Sequence, residues 1–471
     1  MFNSNKNMYD AIIIGAGISG LVCGCYLAKA GMKVLIAEQH YKPGGYCSSF
    51  KKHGFTFDTA AHCFGGYRKG GMTRKIFEDL EIDKKIKIIK FNPLAIIITP
   101  DYKVSFWTDL DETIRNLQTT FPDESNNLKN FFHFLMCPDS VSLARIRSWT
   151  FKDLLDQHFS NYKLKAILAA PLLGVRGLPP SLLSAFVGTK LFSEFFIDGG
   201  YYPENSMQVL PDALVERFKE FGGELRLSCT VKKIRTKNNK VSGVILENNE
   251  LIPTQCVVSN CDARQTFLKL LGKKKLNTDF YNKLQNMIPS ISYFILHLGM
   301  DKYFDSMLSP VASIGFFMHY DLEKAYLAAQ KCDINGFGGH LLVISPDKSS
   351  ILALIPMAYK NKSYWDKNKH KFSESLIEKI ERYTIPNLSK HIIYKEAATP
   401  HTLYKNTLNY KGAAFGWAGM PSQLVLSGFK KPSFVDGLYL TGHWTTFGVG
   451  ISGAAYVGYD IAKIILRKEK T

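Results

Sequence analysis

Residues Ala11–Ile14 form a short apolar run, and Gly15-Ala16-Gly17-Ile18-Ser19-Gly20 follows it without a break. A β-branched run of this kind predicts a buried parallel strand. The next stretch, Leu21–Ala30, is helical in composition and stops at Gly31, a residue suited to a helix C-terminus. Lys33–Ala37 then predicts a second strand, which closes on Glu38. Each position has a physical role. Gly15 permits the tight turn from strand to helix, Gly17 lets a pyrophosphate approach the backbone, and Gly20, with Gly24 one turn on, lets the helix pack close to the sheet. The pyrophosphate would rest on the N–H groups and dipole of the helix N-terminus, at Ile18 and Ser19. Glu38, 18 residues past Gly20, would accept hydrogen bonds from ribose hydroxyls, with Gln39 beside it. Three glycines alone would be weak evidence. Flanked by a strand, a helix and an acid at the next strand end, they predict a dinucleotide site in an α/β fold.

The remaining sequence bounds the class. Its 471 residues suggest two or three domains or one large discontinuous one, and 46% hydrophobic residues support a sizeable core. Lys and Arg total 59 against 41 Asp and Glu, a formal charge of +18. That excess is compatible with an anionic membrane surface, or with a lysine-rich composition that selects no partner. Basic residues gather only in short runs such as Lys273-Lys274-Lys275, so no nucleic-acid partner is expected. The 9 cysteines are scattered, with no CxxC pair and no Cys/His spacing suited to zinc. No metal site is expected, and reduced thiols fit a cytoplasmic protein. The first apolar run leads directly into the glycine loop rather than into a signal-peptide cleavage site. A spanning helix needs about 20 apolar residues, and no such run occurs, so any membrane contact is expected to be peripheral. The charge-free stretch 412–429 is glycine-rich and reads as loop. Nothing in the sequence sets the oligomeric state.

Downstream of Gly44-Gly45, Phe55, Phe57 and Asp58 predict a strand after a turn at Gly54. Leu94–Thr99 and Lys103–Trp107 predict a hairpin across Pro100-Asp101. Helical patterning runs from Asp109 to about Phe196, with Asp111 expected to cap a helix over Glu112–Phe121 and an amphipathic stretch over Trp149–Phe159. Leu164–Ile197 is the most apolar part, and Pro171, Pro179 and Pro180 are expected to break it into short pieces. It reads either as an ordinary helical core or as a greasy tunnel for a long apolar substrate. Met207–Phe221 predicts an amphipathic helix, followed by strands at Glu224–Ser228, Val231–Thr236, Val241–Glu247 and Cys256–Asn260, with a hairpin at Asn238-Asn239. Ser290–Leu298, His340–Ile344 and Ile351–Pro356 suggest a further antiparallel sheet.

Near the C-terminus, Gly437–Gly442 reads as a short strand, and after His443-Trp444 comes Gly448-Val449-Gly450-Ile451-Ser452-Gly453 and a helix to about Leu466. This second GxGxxG does not directly follow its strand, and no strand with an acid comes after it. A second nucleotide unit is therefore not expected. The segment reads instead as a helix N-terminus that closes over the first site.

Taken in order, several stretches resemble the phytoene desaturase, carotenoid isomerase and retinol saturase group of FAD-dependent oxidoreductases, over nearly the whole chain. They are Gly15–Gly20, Glu38, Gly44-Gly45, Asp58-Thr59 with His62, Gly199–Pro203, Val257–Asn260 with Asp262, and Gly437–Gly453. The resemblance implies FAD as cofactor. It also implies an α/β fold in which a Rossmann-type FAD-binding domain of the glutathione-reductase kind carries a discontinuous α+β substrate domain. The FAD-binding parts would be residues 8–108, 206–275 and 406–471; the substrate parts would be a helical, membrane-facing insertion at 109–205 and a β-sheet part at 276–405. Cofactor contacts are expected at Gly15, Gly17, Ile18, Ser19, Gly20, Glu38, Gln39, Gly44, Gly45, Tyr46, Val231, Gly442, His443, Gly450 and Ile451. Tyr201, Tyr202 and Trp444 read as substrate-pocket wall or as core packing. His62 reads as a hydrogen-bonded structural histidine or as a catalytic proton donor.

The implied activity is hydride exchange between flavin N5 and a carbon beside a conjugated system, as desaturation, saturation or isomerisation of a long apolar polyene. The alternatives are a membrane-peripheral flavin-binding protein without turnover and a flavin amine oxidase. Related amine oxidases usually carry Arg on both sides of the double glycine, where this chain has Lys42 and Tyr46. Two further departures are Ser452, where many carotenoid desaturases have proline, and His443, where many relatives have a small or acidic residue.

Overall fold

The computed structural model describes residues 8–137, 139–304, 311–424, 429–432, 434–445 and 448–468. Every residue of Ala11–Ile14 and Val34–Ala37 is buried, which is why both stretches are apolar throughout rather than alternating. They lie in a five-stranded sheet of order Leu438–Leu440, Val257–Ser259, Ala11–Ile14, Val34–Ala37, Glu224–Arg226. All four pairings are parallel. From Ala11–Ile14 the chain first builds outward on one side, then crosses over to build the other. The order reverses between Ile14 and Ser259, the place where a crevice opens at strand C-termini in sheets of this kind.

The helix Ile18–Lys29 lies on this sheet, and a Cβ at Gly24 would come within 2.8 Å of Ile36 Cδ1. The C-terminal helix Gly450–Lys468 packs on the Ile18–Lys29 helix just as closely: a Cβ at Gly458 would stand 2.3 Å from the Ser19 carbonyl oxygen. A three-stranded antiparallel sheet, Val231–Lys237, Lys240–Leu246 and Leu251–Ile252, adjoins it. Its first turn places Asn238 and Asn239 at φ 50° and 58°, the left-handed pair that a two-residue hairpin demands.

The second body is a seven-stranded sheet of order Ile392–Ala398, Ser292–Met300, Ser350–Met357, Gly339–Ile344, Ser313–Phe317, Ala95–Ile98, Lys103–Phe106. Here the structure departs from the sequence reading. The hairpin Ala95–Ile98 and Lys103–Phe106, assigned with residues 8–108 to the nucleotide part, pairs through Ala95–Ile98 with Ser313–Phe317 and belongs to this sheet. Strand pairing over more than two hundred residues of chain leaves no local signal.

Two helical details also differ. Asp109 rather than Asp111 caps the first helix of the insertion, accepting from the backbone of Asp111 and Glu112, so the helix spans Leu110–Thr120. Pro171 does not break its segment: the helix runs Tyr162–Arg176 and ends at Gly177, with φ 62°. The missing Pro171 N–H forgoes one helical hydrogen bond. Burial of Leu164, Ile167, Leu168, Leu172 and Leu173 along the same helix outweighs it.

No disulfide links any of the nine cysteines. Among the described residues no helix is long and apolar enough to cross a membrane. Residues 425–428 of the glycine-rich 412–429 stretch lie outside the described residues.

Candidate functional site

A single cavity of about 390 Å³ runs from the crevice at the sheet reversal into the space under the seven-stranded sheet. Its nucleotide end is built by Gly15, Gly17, Ile18, Ser19, Glu38, Gln39, Gly44, Gly45, Tyr46 and Val231, with Gly442, His443, Gly450 and Ile451 arriving from the C-terminal segment. Gly20 does not line the cavity; it stands behind the turn, where a Cβ would meet the Gly15 carbonyl oxygen at 2.3 Å. That contact, rather than exposure to a ligand, explains why only glycine fits there.

The glycine loops hold each other in place. Gly44 N–H donates to the Ala16 carbonyl at 2.9 Å, and Gly44 and Gly45 take φ 119° and 58°. A Cβ at Gly45 would stand 3.7 Å from Gly17 Cα. One Glu38 carboxylate oxygen accepts from Ala16 N–H at 2.7 Å and the other from His40 N–H at 2.9 Å. The acid thus links the glycine turn to the strand end. Across the site His40 Nε2 donates to the Asn406 carbonyl at 2.6 Å.

Asn260, which carries no binding signal in the sequence, is central here. It caps the strand next to Ala11–Ile14, and its Nδ2 donates to the Gly15 carbonyl at 3.4 Å. A Cβ at Gly17 would meet Asn260 Nδ2 at 2.8 Å, and one at Gly442 would meet Asn260 Oδ1 at 2.5 Å. One side chain therefore fixes the spacing of three glycines drawn from both ends of the chain. The C-terminal segment is also tied to the first helix: Ser19 Oγ lies 2.6 Å from Thr441 Oγ1 and accepts from Gly442 N–H at 3.1 Å. Asp262, buried, accepts from the backbone of Gln265 and Tyr410, just after the Pro400–Thr407 helix end and Leu408-Asn409, which line the cavity.

The other half of the cavity is apolar. Pro171 and Val175 of the Tyr162–Arg176 helix, Phe195 and Phe196 from the same insertion, and Ile97, Ile295, Phe317 and Leu354 of the large sheet form much of its wall. The stretch Leu164–Ile197 thus contributes to both core and cavity. Among the described residues that line the whole cavity, Glu38 is the only acid, and no Lys or Arg is present.

His62 lines the cavity, and its Nδ1 lies 3.2 Å from the Ala60 carbonyl oxygen. A carbonyl only accepts, so Nδ1 carries the proton and Nε2 the lone pair. Burial lowers the His62 pKa. Burial, and after it the Arg176 guanidinium, push the His443 imidazole down to about 4. His297, under the Asp58 carbonyl, is likewise pushed down to about 4 by burial. An unfolded histidine binds its proton near pH 6.5. The neutral-histidine contribution to stability is therefore complete above pH 6.5 and is lost as pH falls from there to about 4. Thermal unfolding across that window should show a falling midpoint, with a shallower fall in His443→Asn.

Tyr201, Tyr202 and Trp444, read as pocket wall or packing, do not line the cavity. The Tyr202 hydroxyl donates to Asp58 Oδ2 at 2.7 Å, completing a buried carboxylate that also takes Ser49 Oγ–H and Met207 N–H. Tyr201 packs on Phe64 and Tyr67. The Trp444 Nε1–H donates to Asn409 Oδ1 at 2.8 Å, and its ring meets Trp417 edge-on. Tyr202→Phe is expected to cost about 1–3 kcal/mol by leaving a buried carboxylate under-satisfied, read as a lower thermal midpoint with the cofactor site intact.

This fold and site define a Rossmann-type dinucleotide-binding oxidoreductase. A family model described as an NAD(P)-binding Rossmann-like domain matches residues 13–80. The chain is similar to prolycopene isomerase of Daucus carota, with 26% identity covering 96% of this chain and 78% of that one. It is similar to the lycopene-forming phytoene desaturase of Pantoea ananas (24%, covering 95% and 96%) and to all-trans-retinol 13,14-reductase of Rattus norvegicus (23%, covering 98% and 86%). Among solved structures, an oxidoreductase from Methanosarcina mazei matches with a TM-score of 0.67 at 15% identity, covering 96% of this chain and 99% of that one. Putrescine oxidase with bound putrescine matches with a TM-score of 0.67 at 13% identity, covering 98% and 99%. The structural likenesses speak to the fold alone. The chain is a homologue, over nearly its full length, of carotenoid isomerases, retinol reductases and phytoene desaturases, and stands with the oxidoreductases of that type.

Proposed function

We propose that this protein is an FAD-dependent oxidoreductase that desaturates, saturates or isomerises double bonds of a long apolar polyene of carotenoid or retinoid kind. The observation that carries the substrate class is the cavity wall. Beyond Glu38 at the nucleotide end, no ionised side chain lines it among the described residues. A protonated amine would lose its hydration there and find no carboxylate in return, whereas a hydrocarbon chain loses nothing. Lys42 and Tyr46, in place of the arginines of amine oxidases, support the same reading. The Lys42 ammonium is turned to the Ser49 carbonyl, and the Tyr46 hydroxyl donates to the Ala413 carbonyl at 3.1 Å.

The residues present fit FAD. Gly15, Gly17, Gly44 and Gly45 bring bare backbone to the cavity wall, and a Cβ at Gly450, with φ 71°, would meet only open space. These gaps suit a ligand that lies against the backbone. The N-terminus of the Ile18–Lys29 helix would hold the pyrophosphate, and Glu38 the ribose. FAD, when bound, supplies the hydride exchange with the substrate. The chain's own residues do the rest. The N-terminus of the Gly450–Lys468 helix lies in the cavity wall and favours negative charge there. The aliphatic and aromatic walls hold the polyene in one orientation and exclude water. His62, with its proton on Nδ1, offers a lone pair at Nε2 rather than a proton. A net charge of +18 favours collection of a lipid substrate from an anionic membrane surface.

Anaerobic titration of the FAD-loaded protein separates the readings. Bleaching of oxidised flavin by a polyene, or reoxidation of reduced flavin by one, supports the proposal. Bleaching by aliphatic amines alone would sink it.

A further inference from the structure

Arg176 ends the Tyr162–Arg176 helix and is 5% exposed. Its Nε and Nη1 are buried and have no hydrogen-bond partner among the described residues. Its neighbours include no carboxylate among the described contacts: the Phe415 ring takes it in a cation–π contact 5.7 Å from Cζ, and a Cβ at Gly419 would stand 2.7 Å from Nη2. Burial lowers its pKa only to about 10, so the guanidinium stays charged at neutral pH. A buried cation left unpaired costs several kcal/mol.

The guanidinium borders a second, small cavity of about 20 Å³, separate from the large one, together with Val187, Met287, Trp417, Thr445 and Val449. The polar side chains that border it among the described residues are committed elsewhere. Gln423 Nε2 donates to the carbonyls of Ile288 and Ala418, and its Oε1 accepts from Ile288 N–H. Trp417 Nε1–H donates to the Trp444 carbonyl at 2.9 Å and the Thr445 hydroxyl to the Gly442 carbonyl at 2.7 Å. Val449 immediately precedes the 19-residue C-terminal helix, whose positive end adds to the potential here. A cavity of this volume holds one water-sized species. Water would solvate the guanidinium but leave its charge uncompensated; an anion does both.

We propose that this cavity binds one monovalent anion of halide size, chloride being the ordinary occupant, against the Arg176 guanidinium. The site is independent of the substrate reading above, because none of its residues lines the large cavity.

Bromide is the probe. Crystals of the FAD-loaded full chain soaked in bromide should give an anomalous peak within hydrogen-bonding distance of the Arg176 guanidinium. In solution, replacing gluconate with chloride at constant ionic strength should raise the thermal midpoint by several degrees and saturate. Arg176→Met, which keeps the volume and removes the charge, should abolish that rise. If Arg176→Met does not fold, the wild-type bromide map decides alone. A water without anomalous signal at Arg176, or an equal chloride effect in Arg176→Met, would overturn the proposal.

Discussion

Glu38→Gln should weaken FAD binding by about ten- to a hundredfold, measured by fluorescence titration of the cofactor-free protein. Two effects add. Both carboxylate oxygens already accept backbone N–H groups, from Ala16 and His40. Glutamine replaces one of those acceptors with an NH₂ group, setting donor against donor in a position only 8% exposed. Charge-assisted hydrogen bonds of this kind contribute about 1.5–3 kcal/mol each. The ribose hydroxyls, in the proposed complex, lose the same acceptor. The glycine turn depends on the Ala16 contact, so the cofactor-free protein should also unfold at lower temperature. Glu38→Asp keeps the charge but is one methylene too short to serve both Ala16 and His40, and should fall between. Unchanged affinity in Glu38→Gln would mean that the nucleotide does not lie at this strand end.

Gly174→Phe should separate the two halves of the cavity. Gly174 sits in the cavity wall on the Tyr162–Arg176 helix, and a Cβ there would meet Leu341 Cδ2 and Cδ1 at 3.7 and 3.8 Å, ordinary contact distances. Alanine should therefore fit, and should stabilise the helix by up to about 1 kcal/mol through its better propensity. A phenyl ring goes further and fills the space between that helix and the large sheet. Polyene turnover should fall at least ~100-fold, the order of loss that misplacing a substrate by about 1 Å produces. Flavin content per mole of protein should not change, since the nucleotide end draws on other elements. Loss of flavin together with turnover would show that the two ends are not independent.

The strand–glycine–helix–strand unit was legible because all its constraints are local. Gly15, Gly17 and Glu38 are close in sequence, and their spacing together with the flanking strand and helix patterns points to the turn. Where the chain joins distant segments, the letters carry less. Ala95–Ile98 has the same apolar sequence as Ala11–Ile14, and nothing within it says that its partner is Ser313–Phe317 rather than the nucleotide sheet. Asn260 ends an apolar strand and looks like an ordinary loop residue. Its importance comes from the sheet order, which puts it beside Gly15, Gly17 and Gly442.

The aromatic residues fail for a different reason. Composition cannot distinguish a tyrosine that faces a ligand from one that satisfies a buried acid. Tyr202 does the second, through Asp58. Along His443-Trp444, adjacent side chains separate: His443 faces the cavity, and Trp444 is spent on Asn409 behind it. The apolar stretch Leu164–Ile197 was legible as greasy but not as helix through Pro171, because one missing hydrogen bond weighs little against so much buried surface.

Polyene turnover by this protein is best read by chromatography. The FAD-loaded protein would be incubated anaerobically, in both oxidised and chemically reduced states, with cis and all-trans polyenes in anionic liposomes, and the polyenes then extracted and separated. In at least one redox state a polyene should change its number of conjugated double bonds or its geometry, in proportion to enzyme, and Gly174→Phe should abolish the change. Recovery of every polyene unaltered in both states, from protein carrying a full complement of flavin, would contradict it.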